Sequence, residues 1–353
     1  MHKLSVEKME FLFEGTAIPA HPLALHPDRT LDERHQRALT RYYIDAGAGG
    51  MAIGVHSTQF EIRDSKFNLY EPVLRMASEE VDNAELKRPF LKIAGVCGKL
   101  DQAVNETNIA LSLGYDMVLL SMGGLGDLSE DDLIDRTKRI AEIMPVFGFY
   151  LQPSVGGRVL SYDFWCRFAE IDNVHAIKTA PFNRYYTLDV ARAVCNSSRV
   201  DEIALYTGND DNIINDLLTT YRFEVNGRMI EKDIVGGLLG HWAVWTKRAV
   251  EIFHDLKAYQ ERTNLINKDW LTLNTQITDA NAAFFDPSHQ FRGCISGIHE
   301  ILRRQGLMES IVCLSDHEAL SPGQAEELDR VQKAYPFLND DDFVSENLEK
   351  WLG

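Results

Sequence analysis

The 353-residue chain has no Cys-x-x-Cys pair; its five cysteines, Cys97, Cys166, Cys195, Cys294 and Cys313, are scattered and odd in number. That spacing excludes both a cysteine-ligated zinc site and a disulfide framework, and it points to reduced thiols in a cytoplasmic protein. Positive charge is scarce. Thirty-six Lys and Arg stand against 53 Asp and Glu, a net charge of −17, whereas nucleic-acid phosphates and anionic membrane surfaces both select basic patches. Neither nucleic acid nor membrane is therefore an expected partner. No apolar run reaches the roughly 18 residues that a spanning helix needs, and Met1-His2-Lys3-Leu4-Ser5-Val6-Glu7 lacks the apolar core of a signal peptide. No Gly-x-Gly-x-x-Gly follows the first apolar segment, and there is no Walker loop and no His-Glu-x-x-His. Dinucleotide, phosphate-loop and zincin readings fall away with them, and no cofactor and no metal are expected. Internal repeats and low-complexity stretches are missing as well.

What the sequence does contain is alternation. Short apolar segments that read as strands lie at 15–20, 50–55, 90–96, 117–122, 146–151, 174–180 and 203–207. Between them lie helical patterns at 32–46, 69–81, 101–113, 129–144, 162–169, 186–195 and 212–221, with Gly47 and Gly114 as stops and Asp101 and Ser129 as N-caps. Met229-Ile230 and Ile234-Val235 compete for an eighth strand around Glu231-Lys232-Asp233. Eight strand-then-helix units predict an α/β fold, a (β/α)8 barrel, over 1–240. Beyond 240 the strand patterns stop. Helices are expected at 239–259, 270–285, 291–305, 324–334 and 343–351, so 241–353 reads as a C-terminal helical region packed on the barrel. Asn339-Asp340-Asp341-Asp342 reads as a solvated acidic run or a helix cap.

Active groups of such barrels sit at the C-terminal ends of strands. One strand end stands out: Val174-His175-Ala176-Ile177-Lys178-Thr179-Ala180-Pro181. An ammonium inside an apolar strand is costly to bury, but at the strand's exit it can be desolvated. Its pKa then falls and the free amine attacks carbonyls. The alternative is a lysine that snorkels to the surface. Tyr150, ending the 146–151 strand, falls on the neighbouring strand and is either a proton carrier for imine chemistry or a core aromatic. The remaining strand ends supply His21, the 55–59 loop, Gly98, Gly123-Gly124 and Gly208-Asn209-Asp210-Asp211.

These residues and their spacing resemble the dihydrodipicolinate synthase and N-acetylneuraminate lyase family of Schiff-base aldolases. The family's tyrosine motif, Y-N-x-P-x-x-T/S-G, is similar to Tyr150-Leu151-Gln152-Pro153-Ser154-Val155-Gly156-Gly157, and its G-I-K-x-(A/S) to Ala176-Ile177-Lys178-Thr179-Ala180. The 28-residue separation of Tyr150 and Lys178 is that of the family. Its G-D-D/E is echoed by Gly208-Asn209-Asp210-Asp211, its first strand by Gly15-Thr16-Ala17-Ile18-Pro19, and its second-strand approach by Ala46-Gly47-Ala48-Gly49-Gly50. The resemblance spans about residues 10–310. It implies an imine between Lys178 and a 2-oxo acid such as pyruvate, proton relay by Tyr150, and a homo-oligomer of two or four chains. An aldehyde or sugar acid would be the second substrate.

The departures bear on substrate. Where the family has G-T-T-G-E, this chain has Gly54-Val55-His56-Ser57-Thr58-Gln59-Phe60-Glu61. Ser57 and Thr58 are expected to offer hydroxyls to the keto-acid carboxylate. His56 is an acid/base group or a histidine packed at the rim, and Gly208 and Asp210 complete the expected binding set. The synthase arginine five residues after the tyrosine is Val155 here, with Arg158 nearby, and the synthase tyrosine pair is replaced by Ser121-Met122-Gly123-Gly124. Gly123-Gly124 and Gly156-Gly157 are expected to leave room for a larger substrate. The expectation is thus a Schiff-base carbon–carbon lyase or hydro-lyase, with authentic dihydrodipicolinate synthase as the runner-up. A non-catalytic barrel that binds a keto acid or sugar acid is the alternative of another class.

Overall fold

A computed structural model describes residues 1–263 and 265–353. The chain runs α1 (Val6–Glu14), β1 (Ala17–Pro19), α2 (Glu33–Ala46), β2 (Gly50–Ile53), α3 (Tyr70–Asn83), β3 (Leu91–Val96), α4 (Leu100–Ser112) and β4 (Met117–Ser121). It continues through α5 (Glu130–Ala141), β5 (Val146–Leu151), α6 (Tyr162–Ala169), β6 (Val174–Ala180), α7 (Arg184–Asn196), β7 (Ala204–Thr207), α8 (Ile213–Leu218), β8 (Thr220–Val225) and β9 (Arg228–Leu239). The helices α9 (Thr246–Arg262), α10 (Lys268–Phe285), α11 (Cys294–Arg304), α12 (Gln324–Ala334) and α13 (Asp341–Leu352) follow. The strands form one sheet of order β1-β9-β7-β6-β5-β4-β3-β2, in which eight run parallel as a nearly closed (β/α)8 barrel. β8 pairs only with β9.

Local chemistry places many of the boundaries. The Asp32 carboxylate accepts from His35 N to start α2, and Gly47, at φ 95°, ends it in the left-handed conformation that glycine tolerates. Ser129 and Asp132 form a reciprocal capping box on α5. Asp101 does not cap α4, which begins one residue earlier behind Lys99 and holds Asp101 in its first turn. The helix expected over 212–221 stops at Leu218, because Thr220–Val225 pairs antiparallel with Arg228–Asp233. Both candidates for the eighth strand belong to β9. Its first half pairs with β8, and Ile234–Gly237 pairs with β7.

Two compact units make up the chain. The first comprises residues 1–16, 91–209 and 215–238. One face of its sheet carries Phe147 against Tyr206, with ring centres 5.2 Å apart, and the Tyr206 hydroxyl donates to Leu12 O of α1 at 2.8 Å. The other face lies under the helices, where Gly148 leaves space for the Phe168 ring of α6. Pairing of β5 with β6 shifts by one residue at its start: Val146 pairs with Val174, but Phe147 pairs with Ala176, so His175 is skipped.

The second unit comprises 17–90, 210–214 and 239–353. A bridge between Ala20 and Ala52 links the ends of β1 and β2. Tyr42 of α2 packs on Trp351 of α13, with centres 5.4 Å apart, and donates to Asp340 Oδ2 at 2.7 Å. Asp340 also accepts from Lys247 N and Gln305 Nε2. It is 6 % exposed, so the acidic run at 339–342 contains a buried hub rather than three solvated carboxylates. Burial raises the Asp340 pKa above the ordinary carboxylate value.

Candidate active site

Lys178 is the fifth residue of β6 and is buried. The register places Ser121 beside Phe149, Phe149 beside Lys178 and Lys178 beside Tyr206, so these four side chains share one face of the sheet. The Lys178 ammonium lies 4.4 Å from the centre of the Phe149 ring. The aliphatic stem of Lys178 runs past Gly208 at the end of β7. A methyl group on Gly208 would overlap Lys178 Cε and lie 2.8 Å from Ala180 Cβ, so the lysine's path requires glycine there. Ser121 Oγ accepts from Gly123 N at 3.1 Å, which leaves its hydroxyl proton to donate. Lys178 and Ser121 thus stand on the same face of the sheet, with Phe149 between them.

Tyr150 is not part of that face. The one-residue shift pairs it with Thr179, and its side chain points to the helices. Its ring lies 5.1 Å from Trp165 of α6 and 5.9 Å from Tyr186 of α7. Its hydroxyl exchanges hydrogen bonds with Leu160, donating to O at 3.4 Å and accepting from N at 3.3 Å. Burial pushes its pKa up to about 12. The structure corrects the expectation that tyrosine and lysine face one mouth. Phe149 occupies that place, a residue overlooked because an equal separation in sequence does not reveal a bulge at His175.

The strand ends around Lys178 are braced from behind. Asp216, 1 % exposed, accepts from Thr207 Oγ1 at 2.7 Å and Asn209 Nδ2 at 2.9 Å and pairs with Arg184. Asn209 Oδ1 accepts from Phe182 N at 3.0 Å. This network ties the loops after β6 and β7 together. Arg158 is similarly engaged, since its Nη1 donates to Leu125 O at 2.8 Å and Leu128 O at 3.0 Å. Two of the mouth glycines create no space. A methyl on Gly123 would lie 2.6 Å from Gly156 O, and one on Gly157 would overlap Leu151 O; of these four, Gly124 and Gly156 border open volume.

The other expected residues lie in the second unit. Ser57 Oγ donates to Ala20 O at 2.9 Å. Thr58 Oγ1 donates to His21 O at 2.6 Å and accepts from Gly54 N and Val55 N. Each hydroxyl has one proton, and both are spent on the end of β1. In this structure they fasten the His56–Thr58 turn to the end of β1. His56 is half-buried, its ring centre 6.1 Å from that of Phe60. Asp210 Oδ1 accepts from His241 N at 2.8 Å, and its carbonyl accepts from Asn281 Nδ2 at 2.6 Å. That places Asp210 as a brace at the end of β9. His21 is fully buried between Thr40 and Pro22 O, and burial lowers its pKa to about 4.

A model of the dihydrodipicolinate synthetase family matches residues 15–220. Comparison with curated protein sequences gave no match. Among solved structures, a dihydrodipicolinate synthase from Acinetobacter baumannii, chloride-inhibited and complexed with pyruvate, is similar at 20 % identity with a TM-score of 0.72, over 92 % of this chain and 99 % of that one. The Oceanobacillus iheyensis dihydrodipicolinate synthase gives 16 % and 0.70, over 93 % and 99 %. An N-acetylneuraminate lyase from Fusobacterium nucleatum gives 17 % and 0.69, over 92 % and 99 %. At these identities the likeness is one of fold.

Proposed function

Because the chain belongs to the dihydrodipicolinate synthetase family, we propose that it is a Schiff-base lyase or hydro-lyase that acts on a 2-oxo acid through Lys178. The observation that carries this reading is the placement of Lys178, a buried amine threaded past a glycine and opposed by the face of Phe149. The free amine adds to C2 of the oxo acid, and water leaves to give an imine. The protonated imine then takes up the electron pair of the C3–C4 bond as that bond breaks, leaving an enamine while the C4 hydroxyl gives its proton to a base and C4 departs as the aldehyde; condensation runs the same step in reverse. This chemistry needs no cofactor. The Ser121 hydroxyl is suited to donate to the substrate carboxylate. Position 155 is valine and Arg158 is committed to two backbone carbonyls. The second substrate is therefore an uncharged or hydroxylated aldehyde, or the matching aldol or sugar acid, rather than aspartate semialdehyde. A cytoplasmic homo-oligomer belongs to the same reading.

The test is trapping. Incubation with pyruvate and borohydride should place one stable adduct on Lys178, located by mass mapping, and Lys178→Ala should abolish it. An adduct on another lysine, or none, refutes the proposal. The Tyr150 hydroxyl bound to Leu160 favours a second reading, a barrel that captures the keto acid without turning it over. Adduct formation without release of product from any aldol tested would select it.

A further inference from the structure

In the second unit, His26 follows β1, Asp32 caps α2 and Glu309 follows α11. His26 Nδ1 lies 2.6 Å from Glu309 Oε2 and 3.8 Å from Asp32 Oδ2. One ligand atom from each of the three falls within 4.8 Å of the other two. Asp32 is 2 % exposed, and its Oδ2 is also 2.6 Å from His35 Nδ1 while Oδ1 accepts from His35 N. His26 and Glu309 border an open cleft together with Leu31, Arg34 and His35.

We propose that His26, Asp32 and Glu309 bind one divalent transition-metal ion, with Zn2+ the best fit and His35 a positioning residue for Asp32. An imidazole nitrogen and two carboxylate oxygens form a borderline donor set that suits zinc. Ligand bonds of about 2.0–2.2 Å put tetrahedral neighbours roughly 3.4 Å apart, inside the range these atoms already span. The short His26–Glu309 pair opens when the bridging proton is replaced by the ion. Water from the cleft completes the shell. His35 donates Nδ1–H to the ligating carboxylate, the outer contact that metal sites use to fix a ligand's orientation. The ion would reinforce an existing seam between the two segments, where Ser310 Oγ donates to Leu25 O at 2.7 Å and Arg29 pairs with Asp316. The three ligands are too dispersed in sequence for any spacing motif to announce them.

Full-length protein stripped of metal is titrated with zinc chloride in a calorimeter and, separately, with cobalt chloride followed by visible absorption. The expected result is saturation at about one ion per chain, with a cobalt spectrum free of sulfur-to-metal charge transfer. His26→Ala and Glu309→Gln should abolish this binding, and His35→Ala should weaken it by about 10–100-fold. Both ligand positions are partly solvent-exposed, so these variants are expected to fold. Circular dichroism checks each, and either one alone decides the matter. Lack of saturable binding, affinity unchanged in the variants, or a thiolate charge-transfer band that moves the ion to a cysteine overturns the proposal.

Discussion

Lys178 presents its ammonium to the face of Phe149, with Nζ 4.4 Å from the ring centre, and the next residue along β5, Tyr150, turns to the opposite side of the sheet. A ring face stabilises positive charge in a desolvated setting by about 0.5–2 kcal/mol. The ring stabilises the ammonium and the iminium that replaces it alike, so its gain is measured from the neutral amine, relative to which it favours the electron-deficient intermediate. Phe149→Leu keeps the apolar wall and removes the ring. At a pH high enough to deprotonate the lysine, trapped pyruvate adduct should then form about five-fold more slowly, the equivalent of roughly 1 kcal/mol. An unchanged rate would show that the ring only fills space.

Gly208 is the second constraint on the lysine. A methyl group there would overlap Lys178 Cε and sit 2.8 Å from Ala180 Cβ. The lysine can swing away but Ala180 cannot. Gly208→Ala should therefore cost about 1–3 kcal/mol of stability through overpacking. It should also displace Nζ, and misplacement by about 1 Å can cost on the order of 10²-fold in rate. Chemical denaturation and the trapping rate check the two parts separately. Wild-type trapping in a folded Gly208→Ala protein would show that the lysine does not take the path described.

Tyr150→Phe is expected to act on stability rather than chemistry. The hydroxyl holds Leu160 through two bonds longer than 3.2 Å. Their loss should cost about 0.5–1.5 kcal/mol, with adduct formation within a few-fold of wild type. A fall of roughly 10²–10⁴-fold, the usual penalty for removing a positioned acid or base, would mean that the phenol reaches the substrate after all.

Legibility in the sequence followed the type of signal. Strand β5 at Val146–Leu151 and helices Tyr162–Ala169 and Gln324–Ala334 lie where hydrophobic periodicity puts them, because apolar runs and caps are local. The β8–β9 hairpin was equally local. Asn226 and Gly227, both at positive φ, join the alternating Thr220–Val225 to its partner. Reading 212–221 as one helix overrode that signal. The facing of Tyr150 was not legible, since a single skipped residue, His175, inverts it without altering the motif. Ser57 and Thr58 are the right chemical type for a carboxylate site, but which oxygens their protons reach depends on the end of β1, a distant segment of chain. Asp340 looked solvated because its partners Tyr42, Lys247 and Gln305 are all remote in sequence.

The second unit should be labile to acid. His21, His241 and His299 are fully buried there, and burial lowers each pKa to about 4 from an ordinary 6.5. Hydrogen bonds to Pro22 O, Asn281 and Ile311 O oppose the shift only in part. A depressed histidine contributes stability that is fully present above pH 6.5. Below that, the unfolded chain takes up protons that the folded chain refuses until pH approaches 4, so stability is lost across this window. At pH 5 each histidine should cost about 2 kcal/mol, 1.5 units at roughly 1.4 kcal/mol per unit. Glu318 works the other way: burial and then Glu61 raise its pKa to about 7, so acidification between pH 7 and 4.5 relieves a cost. Asp340, raised by burial, and His26, raised by its bond to Glu309, act in the same direction as Glu318, while His254, lowered by burial, adds to the three enclosed histidines. Urea unfolding at pH 7.5 and pH 5 should therefore show a net loss at pH 5, and His241→Gln should flatten the slope by the share of one proton. Stability that stays level or rises from pH 7.5 to 5 would mean that these histidines are hydrated or charged in the folded protein.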